Sequence, residues 1–282
     1  MSGTDGDADA ALQRAIADAC LGAESGELAR TDLRAFLASH GVAAEDAEAL
    51  LAAPARLGVY RTLIRNGLGA VVLRMLPRAR VHLHTALPGR FEADLAAFAQ
   101  EPGPRTHYLR DVPGEFFAWA APRWRADASV PSYLVDLAAF ELAQFAIASS
   151  PSSRAPESPA ELSLDHPLAF TDSMRLLRSA WAVHELPEAD DATSAPAARD
   201  VTLLGYRDAG DTVRWLELTP LAGDVVTRLA SGAALGVAIE QACVAHGVTP
   251  AAVLTDVAKL LADLGERGVL LGARAAAPDP DP

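Results

Sequence analysis

Through the first half of the chain, apolar residues recur at the three-to-four spacing of amphipathic helices. Residues 9–21 place Leu12, Ile16 and Ala19 on one face. Residues 27–39 do the same with Leu28, Leu33, Phe36 and Leu37, and Gly41 follows as a stop signal. A short helix is predicted over 44–52. Pro54 then opens a long helix at a position where its missing N–H costs nothing. That helix carries Leu57, Tyr60, Leu63, Ile64, Leu68 and Val71 and ends before Pro77. Residues 81–87 fit either period. Helices are predicted over 91–100, 113–124 and 131–149, the last with Leu134, Leu137, Phe140, Leu142 and Phe145. Short connections make successive helices neighbours, so 9–149 reads as one helical domain.

The pattern changes after a Ser/Pro-rich stretch, Ser149 to Pro159, which has linker composition. Residues 150–172 are predicted to be a linker. Residues 174–184 read as a strand whose alternation is incomplete: Leu176, Ala180 and Ala182 share a face, while Leu177, Trp181 and Val183 interrupt it. Two further strands, 201–207 and 212–218, are joined by Asp208-Ala209-Gly210-Asp211, a connection that suits a hairpin. Thr219-Pro220 is a helix start, and Leu221, Val225, Val226 and Leu229 form the face that follows. Two more helices, 235–245 and 249–266, precede an apolar end at Val269-Leu270-Leu271. The fold class is therefore α+β and mostly helical. An N-terminal helical domain is followed, over 173–272, by a winged-helix-like module with a small three-stranded antiparallel sheet and three helices. Tails at 1–8 and 273–282 are expected to be disordered.

Such modules are best known for binding DNA, and charge bears directly on that use. The chain of 282 residues has a formal net charge of −13, which disfavours nucleic acid and anionic membrane surfaces. The helix that would read bases carries Asp256, Asp263 and Glu266 against Lys259 and Arg267. Phosphate contacts dominate DNA affinity, so an acidic helix there points to another ligand. Two cysteines, Cys20 and Cys243, lie in apolar helical patterns and read as core residues of a cytoplasmic protein. No secretory signal and no membrane-spanning stretch is recognisable.

Candidate chemistry is sparse. His82 and His84 would share a face on a strand and could bind a metal, but would diverge on a helix, and half-buried structural histidines are the better reading. Asp136 and Glu141 are five apart on a helix, which suits ion pairing with Arg61 or Arg65 better than paired-carboxylate catalysis. Arg61, Arg65, Arg74, Arg78 and Arg80 form a basic cluster suited to an acidic partner, phosphate or internal ion pairs. Cys243 and His246 share a helix face, with Cys243 reading as core. No phosphate loop, GxSxG elbow, HExxH, CxxC or GxGxxG occurs. The remaining lead is strand 212–218. Either it or 174–184 is a sheet edge, and an edge offers unpaired N–H and C=O groups to an added peptide strand. A groove between this strand and the third helix is predicted, with Val213, Arg214, Trp215 and Leu216 on the strand and Val253, Val257 and Leu260 on the helix. Val213 and Trp215 are expected to face it.

The segment Arg56-Leu57-Gly58-Val59-Tyr60-Arg61, the stretch 108–119 and the run Tyr133-Leu134-Val135-Asp136-Leu137-Ala138-Ala139-Phe140-Glu141-Leu142-Ala143 resemble the N-terminal helical domain of a bacterial family long labelled as DNA-binding. The stretches Arg175-Leu176-Leu177-Arg178, 203–206 and 214–218 are similar to its C-terminal module. This is the MbnC/TglI-like family of partner proteins of multinuclear non-heme iron-dependent oxidative enzymes. Its C-terminal module resembles PqqD-like elements, which capture a leader peptide as an added strand. Departures are Thr62-Leu63, where the family often has Asn, and Pro88-Gly89-Arg90-Phe91 in place of a Gly-Glu-Glu-Phe-like stretch.

The resemblance implies a non-catalytic accessory subunit without a cofactor of its own. It would bind a ribosomally made precursor peptide and form a heterodimer with an iron-dependent oxidative enzyme. Tyr60, Arg61, Arg65 and Glu141 are the implied partner-binding residues. A winged-helix DNA-binding regulator is the alternative.

Overall fold

The computed structural model describes residues 4–21, 23–101, 103–106, 108–151, 162–187, 189 and 193–274. Two compact units divide at Val135/Asp136, inside the first turn of a helix and not in the 150–172 stretch. Most of that stretch's Ser/Pro-rich part, 152–161, lies outside the described residues, as does the tail 275–282.

The first unit is helical: α1 (Thr4–Leu21), α2 (Ala23–Thr31), α3 (Leu33–Ser39), α4 (Ala44–Leu51), α5 (Pro54–Met75), α6 (Pro77–Ala86), α7 (Arg90–Gln100) and α8 (Val112–Ala126). The helix expected from residue 9 already begins at Thr4, within the predicted tail. The helix expected over 27–39 is two helices. Asp32 interrupts it because its carboxylate caps α3, accepting from the Ala35 N–H at 3.0 Å, a bond that favours a helix start over a helix interior. Of residues 81–87, all but Leu87 lie in α6, so His82 and His84 diverge. His82 is buried with its Nδ1 3.1 Å from the Tyr133 hydroxyl, whereas His84 is exposed.

Among the described residues, at least two clusters help to hold this unit. Ala15, Ala19, Phe36 and Leu37 meet where α1 and α3 pack. Phe91, Phe116 and Trp124 form an aromatic cluster between α7 and α8. The Trp124 indole N–H donates to Asp94 at 2.8 Å, Asp94 pairs with Arg90, and Arg90 reaches Asp127. The buried indole therefore has the polar partner that its N–H requires.

The second unit takes most of α9 (Leu134–Ala148), then β1 (Leu168–Phe170), β2 (Arg175–Trp181), a 3-10 turn (Val183–Glu185), β3 (Ala198–Arg207), β4 (Val213–Leu218), α10 (Pro220–Ala230), α11 (Leu235–His246), α12 (Pro250–Glu266) and β5 (Leu270–Ala273). An antiparallel sheet has the order β2-β3-β4, and a separate pair joins β1 to β5. Of that pair, β1 lies in the predicted linker, while β5 occupies the expected apolar end and carries it to Ala273, within the predicted tail.

Both faces of the three-stranded sheet are covered, which explains the broken alternation along 174–184. Leu176, Leu204, Tyr206, Leu216 and Leu218 pack with α10, α11 and α12. Leu177, Val201, Leu203 and Trp215 pack with Leu137 and Phe140 of α9. Neighbours on β3 such as Leu203 and Leu204 are consequently both fully buried, and a strand buried on both faces loses the period-2 signature. Thr219 caps α10 by accepting from the Ala222 N–H. Thr249 occupies the cap position of α12 without a side-chain bond. Among the described residues no helix is long and apolar enough to cross a membrane.

Candidate functional site

The hairpin between β3 and β4 sets which backbone groups face outward. Asp208 N–H donates to the Thr212 carbonyl at 2.9 Å, and Asp211 N–H donates to the Asp208 carbonyl at 3.0 Å. The Asp208 carboxylate also accepts from the Gly210 and Thr212 N–H groups and from Arg214. These donors hold its pKa below the ordinary carboxylate range, the Arg214 bond most strongly. The left-handed residue that closes the turn is Asp211, with φ 59°, and not Gly210.

Antiparallel pairs alternate between hydrogen-bonded and non-hydrogen-bonded residues. With Asp208/Thr212 a bonded pair, Tyr206/Arg214 and Leu204/Leu216 are the next bonded pairs in the register. Arg207 N–H confirms this phase by donating to the Ser173 hydroxyl on the β2 side. Val213, Trp215 and Glu217 therefore turn their N–H and C=O groups away from β3, along the outer edge of β4. The strand β2 forms the opposite edge. At its far end the Asp136 carboxylate accepts from the Ser179 hydroxyl and the Ala180 N–H, at 2.8 and 2.9 Å. Those bonds cover the bulge between Ser179 and Trp181.

The predicted groove between β4 and the third helix does not form as expected. Val213 and Trp215 belong to the α9 side of the sheet by register, while Arg214 and Leu216 belong to the α12 side. Trp215 lies against Phe140, and Val253 and Val257 are buried core residues. Leu260 is half-buried against the same core. A period-2 pattern divides a strand into two faces without saying which element covers each, and the α9 contact was not legible as such.

A charged corner lies where β3 and β4 meet the 3-10 turn. Arg199 bridges Glu217 and Glu185, and His184 Nε2 lies 3.2 Å from Glu217. The Arg199 hydrogen bond holds the Glu217 carboxyl below its usual range. Ligand atoms of His184, Glu185 and Glu217 come within 4.8 Å of one another, close enough for a cation. Arg199 already supplies positive charge there, and a divalent ion would have to displace it. The three residues come from separate parts of the sequence, so no spacing motif announced them. Nearby, an open groove of about 870 Å³ is lined by Arg178, Thr202, Leu218, Pro220, Asp224 and His246. Asp224 lies 3.6 Å from His246, 3.4 Å from Arg228 and 3.8 Å from Arg178. Cys243 is buried in the core.

On α12, Lys259 pairs with Asp256 and Arg267 with Asp263. The one lysine of α12 and the arginine that follows its last turn thus both answer acids of the helix. In the first unit, Arg61 donates to the Gly26 carbonyl and Arg65 to the Cys20 carbonyl, at 3.0 and 2.9 Å. These guanidiniums tie α5 to the α1–α2 region. Tyr60 is 52% exposed, and Glu141 is buried.

The second unit thus contains a three-stranded antiparallel sheet with β2 and β4 as its outer strands, followed directly by three helices. Its sequence is similar to a known family: residues 172–265, about a third of the chain, match the family model described as HvfC C-terminal domain. The match runs from just before β2 to the end of α12 and leaves out β1 and β5. No curated protein matched the chain.

Proposed function

We propose that the chain is a non-catalytic accessory subunit that holds a ribosomally made precursor peptide as a strand added to β4 and presents it to an iron-dependent oxidative enzyme. The observation that carries this reading is the outer edge of β4, where the backbone groups of Val213, Trp215 and Glu217 point away from the sheet. Main-chain bonds along such an edge give affinity with little dependence on sequence, and neighbouring side chains give selectivity. Tethering the leader raises the effective concentration of the segment to be modified at the partner's iron. Similarity of 172–265 to HvfC C-terminal domains supports the assignment, together with the family resemblance of the helical half. Against the DNA-binding alternative stand the acidic residues of α12, two of which, Asp256 and Asp263, pair with Lys259 and with Arg267 just past the helix end.

The test takes the full chain and any short ribosomal precursor peptide found encoded beside its gene, and measures binding by calorimetry. Val213→Pro removes an outward N–H while leaving the pairing of β4 to β3 intact, so affinity is expected to fall about tenfold with the circular dichroism unchanged. Unchanged affinity would reject strand addition at β4. Salt-sensitive binding to duplex DNA without peptide binding would favour the regulator instead.

A further inference from the structure

We propose that the outer face of α5 is a docking surface for an acidic amphipathic helix of a second protein. This does not rest on the peptide-binding reading, because the surface belongs wholly to the first unit.

A helix turns about 100° per residue, which brings Arg56, Val59, Tyr60, Leu63, Ala70 and Arg74 onto one side of α5. All are exposed, and Val59, Tyr60 and Leu63 are 60%, 52% and 63% accessible. The opposite side, with Leu68, Val72 and Met75, is buried in the first unit. The helix is therefore apolar on two sides, and its own core uses one. Apolar residues on both sides are the mark of a helix with neighbours on both. Midway along the outer side, Gly67 leaves open space: a Cβ there would meet nothing within 4 Å. With Ala70 it forms a low saddle where another backbone can approach closely.

Charge identifies the occupant. The sequence of α5 contains four arginines and no acidic residue in a chain of net charge −13. Arg61 and Arg65 are turned inward onto carbonyls. Arg56 and Arg74 flank the apolar stripe, exposed, and among the described residues neither has a side-chain partner. They are separated by eighteen residues, about 27 Å or five turns. A second copy of the chain does not suit this face. Antiparallel pairing would set Arg56 against the copy's Arg74, and parallel pairing would set each arginine against itself. A helix of about five turns, with an apolar stripe and carboxylates at both ends, satisfies stripe and charges together.

The experiment titrates the full chain with two synthetic helices of about 20 residues. Both carry Leu and Ala at i, i+3, i+4 spacing; one has Glu pairs at its ends and the other Lys pairs. The Glu-ended helix is expected to bind about tenfold more tightly at low salt, with the preference shrinking at high salt. Leu63→Asp should weaken it about tenfold, and the double change Arg56→Glu with Arg74→Glu should shift the preference to the Lys-ended helix. These positions are exposed, so circular dichroism and melting should be unchanged, which separates lost docking from lost folding. Equal affinity for the two helices, or binding of neither, would overturn the proposal. So would a dimer of the chain alone that Leu63→Asp dissociates, since a second copy would then cover the face.

Discussion

The indole of Trp215 lies against the ring of Phe140, with centroids 4.7 Å apart and planes at 33°. Through this contact β4 is anchored to α9, on the face of the sheet opposite α12. Trp215 thus contributes its backbone to the open edge and its side chain to a core. Trp215→Ala is expected to cost about 2–4 kcal/mol, less than a fully buried tryptophan, because the residue is half-buried. Denaturant titration measures this. If peptide affinity is then recovered at low temperature, the side chain supports the strand without touching the peptide.

Gly205, paired with Trp215 across β3 and β4, leaves no room for a side chain. A Cβ there would lie 2.6 Å from Cζ3 of Trp215 and would also collide with Ile147 of α9. Gly205→Ala should destabilise the chain by about 1–3 kcal/mol, read as a lower midpoint in urea. The same change at Gly67, where nothing is near, should instead raise helix stability by up to about 1 kcal/mol.

At the hairpin, the left-handed position is occupied by Asp211. Aspartate tolerates this region better than most residues, but glycine adopts it without steric cost. Asp211→Gly is expected to stabilise the chain by about 0.5 kcal/mol, a rise in melting temperature of about one or two degrees. The exposed contact between Asp211 and Arg207 is worth too little to reverse that sign.

The β1–β5 pair closes the core of the second unit outside the segment that matches the HvfC C-terminal domain. Val269, Leu270 and Ala273 are buried, and the Thr171 N–H donates to the Val269 carbonyl at 2.9 Å. Leu270→Ala should therefore cost about 2–4 kcal/mol. A proteolysis time course that is unaltered in this variant would show that the pair is dispensable.

The bond between His40 and Asp18, 2.9 Å long, ties α3 to α1. It raises the imidazole pKa above the ordinary 6.5, with the Asp18 bond the largest cause and the Phe36 carbonyl next. A raised pKa gives stability that is fully present below 6.5 and is lost as pH rises through the folded value. Asp127 works in the other direction. Its bonds to Ser129 and Arg90 hold it at about 2 against an ordinary 3.8, so its contribution is present above 3.8 and lost as pH falls through about 2. Melting temperature against pH should lose part of its fall above 6.5 in His40→Ala and part of its acid slope in Asp127→Asn.

Much of the helical half was legible because one face of each helix is buried and the other wet. The limits of α4, α7 and α8 agree with the expected ones to within two residues. The break at Asp32 was not, since a capping carboxylate competes with the helix only once Leu33–Ser39 has somewhere to pack. The β1 strand, three residues long, is too short for any period to register. The hairpin and the start of α10 were written in local chemistry, at Asp208–Asp211 and Thr219-Pro220, and the structure keeps both, with Asp211 as the left-handed residue of the turn.

By itself, the sequence determined most of the helices in the first half, the three strands and three helices of the second, and the net-acidic third helix. Periodicity and turn chemistry are local and survive without tertiary context. Only the tertiary structure decided that α9 covers the second face of the sheet, and hence that Trp215 meets Phe140 and not α12. It also decided that Arg61 and Arg65 spend their charge on carbonyls of the α1–α2 region while Val59, Tyr60 and Leu63 stay in water. The reason is physical: a repeat of apolar residues states that a face must be covered, but the covering surface comes from residues far away in the chain.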